Sequence, residues 1–369
     1  MYKEKDIVRI AKRENNKKRK YIVVNRLQGK HIPVSPKEAF ALFDALADII
    51  GNTYKGERLL LVGFAETATA IGARLAVDLN TEYIQTTREN LEGVNYLHFT
   101  ESHSHATDQK LVKQDIEEKI GLVDRIVFVE DEITTGNTVL DIINLLQKQY
   151  PGKVQYSVVS LMNGMDRRSL SEYCSRDINI HYLLKTDHSS YTERAELYSG
   201  NGTYDKMTGT QGNQKVSINK VTGYLDARRC VNGEAYCCAC NRLWEQIQGV
   251  VTLHKKSTIL VLGTEEFMYP ALFVASEIER LGKSVRFHAT TRSPIVVSKE
   301  DEYPLHHRFE LASLYDPTRK TYIYDVGRYD QVFILTDATD DSFLGLATLL
   351  QAVTSMGNDN ITVFRWCES

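Results

Sequence analysis

The sequence has no run approaching the ~18 to 20 consecutive apolar residues that a membrane-spanning helix needs. Its first residues are charged rather than apolar. Neither a membrane span nor a secretory leader is expected, and the expected location is cytoplasmic. A dominant charge is also lacking: 45 Lys and Arg stand against 48 Asp and Glu, a formal net charge of −3. No global field draws the chain to nucleic acid. The local basic cluster Lys17, Lys18, Arg19 and Lys20 reads as a solvated arm before a strand at 21–25. Paired C-x2-C spacing, the usual mark of a zinc site, is missing too. Four of the six cysteines, Cys230, Cys237, Cys238 and Cys240, form a C-x6-C-C-x-C pattern. The stretch 234–250 around them reads as a helix in which cysteine is a small apolar residue. Neither zinc nor a structural disulfide is expected there.

What is present is length and alternation. The 369 residues allow two domains at about 150 residues each. Buried apolar runs, glycine-bearing turns and amphipathic helices follow one another, which predicts an α/β fold with a parallel sheet and helices on both faces. Between about Ser189 and Asn219 the composition turns to Gly, Ser, Thr and Asn. The expected division is therefore a first domain at 1–188, a linker or hairpin excursion at 189–220, and a second domain at 221–369.

The most informative stretch is RIVFVEDEITTGNTVL, Arg125 to Leu140. Ile126 to Val129 read as a buried parallel strand. Glu130 and Asp131 follow at once, then Thr134, Thr135, Gly136, Asn137 and Thr138, then a helix from Val139. A helix start offers unpaired N–H groups and partial positive charge to an anion. Gly136 lets the backbone come close. The threonine hydroxyls add donors, and Thr134 or Thr135 can cap the helix. Carboxylates repel phosphate, so Glu130 and Asp131 need hydroxyls or a metal ion instead. A ribose 5-phosphate meets both demands. The plain alternative is an ordinary strand–turn–helix with a threonine-rich cap.

Other loops fall at the same sheet edge, where ligands of such folds sit. Gly63, Phe64, Ala65 and Glu66 close a buried strand before a helix and form a second anion loop; Arg88 follows the next strand. The long polar segment from Asn90 to Lys110 reads as a lid, with Glu101, His103 and His105 as its candidate proton carriers. Lys30 and His31 sit in a loop that is either a solvated turn or a cover over substrate.

The second half repeats the first. LLLVGFAE at 59–66 matches ILVLGTEE at 259–266, and Thr86-Thr87-Arg88 matches Thr290-Thr291-Arg292. The run from Val127 matches the run from Val332. Glu66 and Glu266, Arg88 and Arg292, and Val127 and Val332 lie 200, 204 and 205 positions apart. The repeat loses the chemistry: Leu335-Thr336 replace the two acids and Asp341 replaces Gly136. Glu265, Glu266, Arg292 and Ser293 remain as a candidate second site, or as turn residues joined by an ion pair.

The run from Arg125 to Thr138 resembles the phosphoribosyl pyrophosphate (PRPP) motif of type I phosphoribosyltransferases. With GKHIP at 29–33, GFAET at 63–67, FTESHSHATDQ at 99–109, LGTEEF at 262–267 and TTRSPI at 290–295, the whole chain resembles a narrower family. Its members join a phosphoribosyltransferase domain to a TRSP domain and occur in bacterial tellurium-resistance-associated gene clusters. The resemblance implies an orotate-phosphoribosyltransferase-like first domain and a degenerate second domain of related fold. It implies Mg²⁺, held mostly through substrate and water near Glu130 and Asp131, and small-molecule ligands: PRPP with a base or a nucleotide. It also implies a role in making a nucleoside-like metabolite, with a homodimer or an intramolecular pseudo-dimer as the assembly. By the same resemblance Glu130 and Asp131 contact the ribose hydroxyls, Thr134 to Thr138 hold the 5-phosphate, and Gly63 to Glu66 with Arg88 hold pyrophosphate. Purine-salvage relatives often carry an acid where Thr134 stands, which argues against a 6-oxopurine substrate. The rival expectation is a non-catalytic protein that binds PRPP or a nucleotide as a regulator.

Overall fold

A computed structural model describes residues 2–14, 16, 19–99, 109–209, 216, 218–254, 256–339 and 342–368. The chain opens with α1 (Glu4–Ile7), β1 (Val8–Lys12), β2 (Tyr21–Asn25) and α2 (Pro36–Thr53). A first run of alternating elements follows: β3 (Leu59–Gly63), α3 (Thr69–Leu79), β4 (Glu82–Gln85), β5 (Tyr96–Phe99), β6 (Gln109–Val112) and α4 (Lys113–Lys119). It continues through β7 (Arg125–Ile133), α5 (Asn137–Gln149), β8 (Gln155–Asn163), α6 (Arg167–Ser175) and β9 (Asn179–Lys185). Then come α7 (Tyr191–Glu196), β10 (Thr203–Lys206), β11 (Ile218–Val221), β12 (Val231–Asn232) and α8 (Gly233–Gln248). The second run is β13 (Thr258–Gly263), α9 (Tyr269–Arg280), β14 (Ser284–Ala289), β15 (His307–Ala312), β16 (Lys320–Tyr324), β17 (Gln331–Thr336), α10 (Phe343–Ser355) and β18 (Ile361–Trp366).

The chain divides into two compact units. The first gathers Phe40–Asp187 and Leu225–Cys238; the second gathers Lys3–Ala39, His188–Tyr224 and Ala239–Ser369. These limits differ from a cut at residues 188 and 221, for identifiable reasons. In the first unit, β12 extends the free edge of β4 (Val231↔Tyr83), and Arg229 Nη2 meets Asp115 Oδ1 at 2.7 Å. In the second unit, the Val34 N–H donates to the Phe287 carbonyl at 2.9 Å, and Arg308 pairs with Glu14 at 2.7 Å. The stretch expected to be a linker or a hairpin excursion contributes two strands to the second unit's sheets. β10 runs parallel to β15 and β11 parallel to β18.

The first unit's sheet has the order β12-β4-β3-β7-β8-β9, parallel except for the short edge strand β12. Its centre is β7, whose residues Ile126 to Val129 are fully buried, as the apolar run requires. Each such side chain contributes roughly 1.5–3 kcal/mol relative to exposure. β3 pairs with β7 in the register Leu61↔Val127 and Gly63↔Val129. The loops after β3 and β7 are therefore neighbours at the carboxyl edge. α3 packs on β3, β4 and β7.

The second unit's sheet reads β14-β13-β17-β18-β11. This is the order β4-β3-β7-β8-β9 with each strand replaced by its sequence counterpart, except at the last position. There β11 comes from before the repeat rather than after it. The equivalence extends to single bonds. Ala65 N–H donates to Thr86 Oγ1 at 2.8 Å, and Glu265 N–H donates to Thr290 Oγ1 at 2.9 Å. The core of this unit centres on Leu260, Leu262, Val332, Ile334 and Leu349.

Candidate functional site

The loop after β7 is built around one residue. Gly136 has φ +79, and a Cβ there would lie 2.6 Å from the Tyr173 hydroxyl. That hydroxyl donates to the Gly136 carbonyl at 2.7 Å, so α6 braces the turn. Burial, first among several causes, raises the Tyr173 pKa and keeps the hydroxyl protonated as a donor. Gly136 is also the N-cap of α5 and makes no side-chain cap bond, where a threonine cap was expected. Thr135 Oγ1 accepts a long 3.4 Å bond from the Asn137 N–H. The first turn of a helix leaves its N–H groups without helical acceptors. Around it Thr134, Thr135 and Thr138 are half-buried and Asn137 is exposed. Hydroxyls and amides thus share one accessible rim, the layout a phosphate requires.

The acids lie inside β7, which continues to Ile133 instead of ending before them. Successive strand residues point to opposite faces, so Glu130 and Asp131 bracket the strand end from its two sides. Thr67 Oγ1 donates to Asp131 Oδ1 at 2.8 Å and ties the loop after β3 to the acid. Burial first, then the neighbouring Glu132 carboxylate, raise the Asp131 pKa to about 6. Asp131 therefore ionises just below neutrality.

The loop after β3 carries Gly63, Phe64, Ala65 and Glu66. Phe64 is an anchor, not a contact surface: its ring is buried, at 5.8 Å from Phe99 and 6.0 Å from Phe128. The backbone is held from two sides. Besides the Thr86 contact, Gln109 Nε2 donates to the Ala65 carbonyl at 2.5 Å, and Thr86 Oγ1 donates to Gln109 Oε1 at 2.7 Å. The Ala65–Glu66 peptide is cis, and Glu66 is buried. Arg88 is half-buried after β4, next to the Thr87–Lys110 bridge. β5 and β6 pair antiparallel, Phe99↔Gln109, so the described ends of the expected lid are strands. Glu101, His103 and His105 lie outside the described residues.

Thus Glu130, Asp131, Thr134 to Thr138, Gly63 to Glu66 and Arg88 lie at or just beyond the carboxyl ends of the adjacent strands β7, β3 and β4. Lys30 and His31 belong to the second unit. Both are buried in the second unit, where Lys30 Nζ donates to the carbonyls of Glu265 and Thr290 at 3.0 and 2.9 Å. Their burial overturns the solvated turn, and the Lys30 ammonium is a strut under the repeat's own loop. Sequence reading missed Thr67, Gln109 and Tyr173. Thr67 lies within the GFAET run and carried a signal, whereas Tyr173 carried none.

In the second unit, Glu266 Oε1 meets Arg292 Nη2 at 3.0 Å with both side chains buried. The Glu265 carboxylate accepts from Ser313 Oγ at 2.6 Å and pairs with Arg319 Nε at 3.4 Å. Ser293 N–H donates to Thr291 Oγ1 at 3.2 Å. These groups serve one another in ion pairs and turns. Among the described residues, no group of three or more His, Cys, Asp and Glu gathers to hold a metal. No helix among them is long and apolar enough to cross a membrane.

A family profile described as phosphoribosyl transferase matches residues 7–187, and one described as the TRSP domain C-terminal to it matches residues 236–353. No curated protein matches the chain. Among solved structures, adenine phosphoribosyltransferase from Rhodothermus marinus is 15% identical, with 49% of this chain and 96% of that chain covered and a TM-score of 0.37. The Leishmania tarentolae enzyme is 15% identical, covering 51% and 88%, TM-score 0.37. The Trypanosoma brucei enzyme, in complex with AMP, pyrophosphate and ribose-5-phosphate, is 18% identical, covering 39% and 64%, TM-score 0.30.

Proposed function

For a chain that belongs to the family in which a phosphoribosyl transferase domain is followed by a TRSP domain, we propose a specific use of the first unit's strand-end site. The chain is a type I phosphoribosyltransferase, a pentosyltransferase. The proposal is that it moves ribose 5-phosphate between PRPP and a nitrogenous base, in either direction, in the making of a nucleoside-like metabolite. The observation that carries this reading is the pairing of carboxylates at the end of β7 with a glycine-capped, threonine-lined helix start.

In the forward direction a ring nitrogen of the base forms a bond to C1 of the ribose. The bond from C1 to the pyrophosphate oxygen breaks, and its electron pair leaves with pyrophosphate. Positive charge develops on the sugar ring as this happens. Glu130 and Asp131 accept hydrogen bonds from the ribose hydroxyls and stabilise that charge. The amides and hydroxyls of Thr134 to Thr138 fix the 5-phosphate and so align C1. The amides of Gly63 to Glu66, with Arg88, hold the pyrophosphate. Glu101, His103 and His105 are the candidate proton carriers. Hard carboxylate oxygens suit Mg²⁺, which takes few protein ligands and completes its shell with phosphate and water. When bound, the ion would neutralise pyrophosphate charge.

The test mixes the protein with Mg²⁺, PRPP and a panel of bases and measures pyrophosphate release. Release that depends on one base class is expected. PRPP binding without release for any base would replace the enzyme with a sensor.

A further inference from the structure

A cavity of about 830 Å³ opens in the second unit. That is the size of a small-molecule site, typically about 300–1,000 Å³. It is assembled from segments that the phosphoribosyl site does not use. The N-terminal strand contributes Arg9, the turn after β2 contributes Arg26, the GKHIP loop contributes Ile32, and α7 contributes Arg194. The loop before β15 closes it with Asp301, Glu302 and Tyr303. The GKHIP motif thus has an outlet: Lys30 and His31 are buried while Ile32 lines the cavity.

The charges in this cavity are not distributed as on an ordinary surface. Arg9 Nη1 donates to the carbonyls of Lys5 and Val8 at 2.7 and 2.9 Å, which fixes its guanidinium in place. Burial, then the nearby Arg26, then Arg194, hold the Arg9 pKa below its usual value. Three guanidinium groups and the Lys5 ammonium therefore line one concave space, with Glu4 beside them. The ion pair of Arg194 with Glu4 is long, at 3.7 Å, and exposed, so it offsets little of that repulsion. A guanidinium cluster of this kind favours a dianion, because phosphate accepts several charge-assisted bonds at once. Other lining residues suit the rest of a ligand. Asp301 and Glu302 are exposed carboxylates, acceptors suited to sugar hydroxyls. Tyr198 and Tyr303 meet edge to face with ring centroids 4.9 Å apart and, with Ile32, give a partly apolar wall.

We propose that this cavity binds the phosphomonoester of a sugar, free or as part of a nucleotide, with Arg9, Arg26 and Arg194 on the phosphate and Asp301 and Glu302 on the hydroxyls. The site is independent of the phosphoribosyl chemistry and would stand if that assignment failed.

The experiment is isothermal titration of the full chain with ribose 5-phosphate, with AMP and with inorganic phosphate. It is repeated on Arg26→Gln/Arg194→Gln, whose side chains are exposed, so folding is expected to survive. Saturable binding of ribose 5-phosphate or AMP is expected, weakened roughly tenfold or more in that variant. Arg9→Lys, which keeps the charge but not the fork, should weaken it as well. Tighter binding of AMP than of ribose 5-phosphate identifies the nucleotide as the source; the reverse identifies the free sugar phosphate. Any isotherm from the first unit is recognised by its loss in Glu130→Gln/Asp131→Asn, which should leave this one unchanged. Absence of binding at millimolar ligand, or an affinity indifferent to the arginine substitutions, overturns the proposal. Inorganic phosphate binding as tightly as both sugar phosphates overturns the part assigned to the carboxylates.

Discussion

Asp131 carries the clearest conflict between stability and function at the level of single residues. Its side chain is half-buried beside Glu132, and its pKa is raised to about 6, against an ordinary value of about 3.9. Between these two values the folded chain holds the proton more often than the unfolded chain. Stability therefore falls as pH rises through that window, and the cost of the buried charge is complete above it. Asp131→Asn removes the charge and keeps an acceptor for Thr67. It should raise stability at pH 7.5 by up to roughly 3 kcal/mol, with the gain vanishing below about pH 4. The same change should lower turnover on the order of a hundredfold or more, because the group that steadies the cationic sugar is lost. Denaturant unfolding at two pH values and a pyrophosphate-release assay check both halves. A variant that is less stable at pH 7.5 and fully active contradicts them. The acids and the threonine loop were legible in the sequence because strand, spacing and helix start all lie within one short run. The roles of Tyr173 and Gln109 were not, because each acts across a gap in sequence that only the folded sheet closes.

The two hairpins show what duplication has done to one element. β5–β6 bridges β4's continuation through Thr87 and Lys110; β15–β16 does the same through Thr291 and Tyr322. In the second unit, the connection between the arms is tied down. Ser313 and Arg319 hold the Glu265 carboxylate, while the Tyr315 hydroxyl meets Thr264 Oγ1 at 2.7 Å and Asp337 Oδ1 at 2.5 Å. Glu265 replaces Ala65 in the repeat, so this loop carries a built-in anion that its own cover binds. Glu265→Ala should destabilise the chain by roughly 1–3 kcal/mol and speed hydrogen exchange at 313–319. Unchanged protection of that connection would show that other contacts hold it. The sequence showed the acid and the repeat; it did not show the connection folding back, since Ser313 and Arg319 match no motif.

At the scale of the whole molecule, two sheets share one strand order but only one keeps the reacting groups. The repeat was legible because its offsets are nearly constant, and so was the loss of the acids. The division into units was not. Local composition marked 189–220 as a linker, but strand pairing is long-range, and β10 and β11 gain their partners from strands about a hundred or more residues onward. Nor could an N-terminal loop announce that Lys30 supports Glu265. If chemistry resides in the first unit, Glu266→Gln/Arg292→Gln should leave base-dependent pyrophosphate release within about twofold of the unaltered chain, while lowering the melting temperature. A loss of turnover at unchanged stability would instead give the second unit a share in the reaction.

The most direct test of the central claim is a crystal structure of the chain with ribose 5-phosphate bound. The phosphate should lie on the amides and hydroxyls of Thr134 to Thr138, with the sugar hydroxyls on Glu130 and Asp131. A first-unit strand end left empty by the ligand, or a ligand there whose hydroxyls turn away from both carboxylates, would contradict the account.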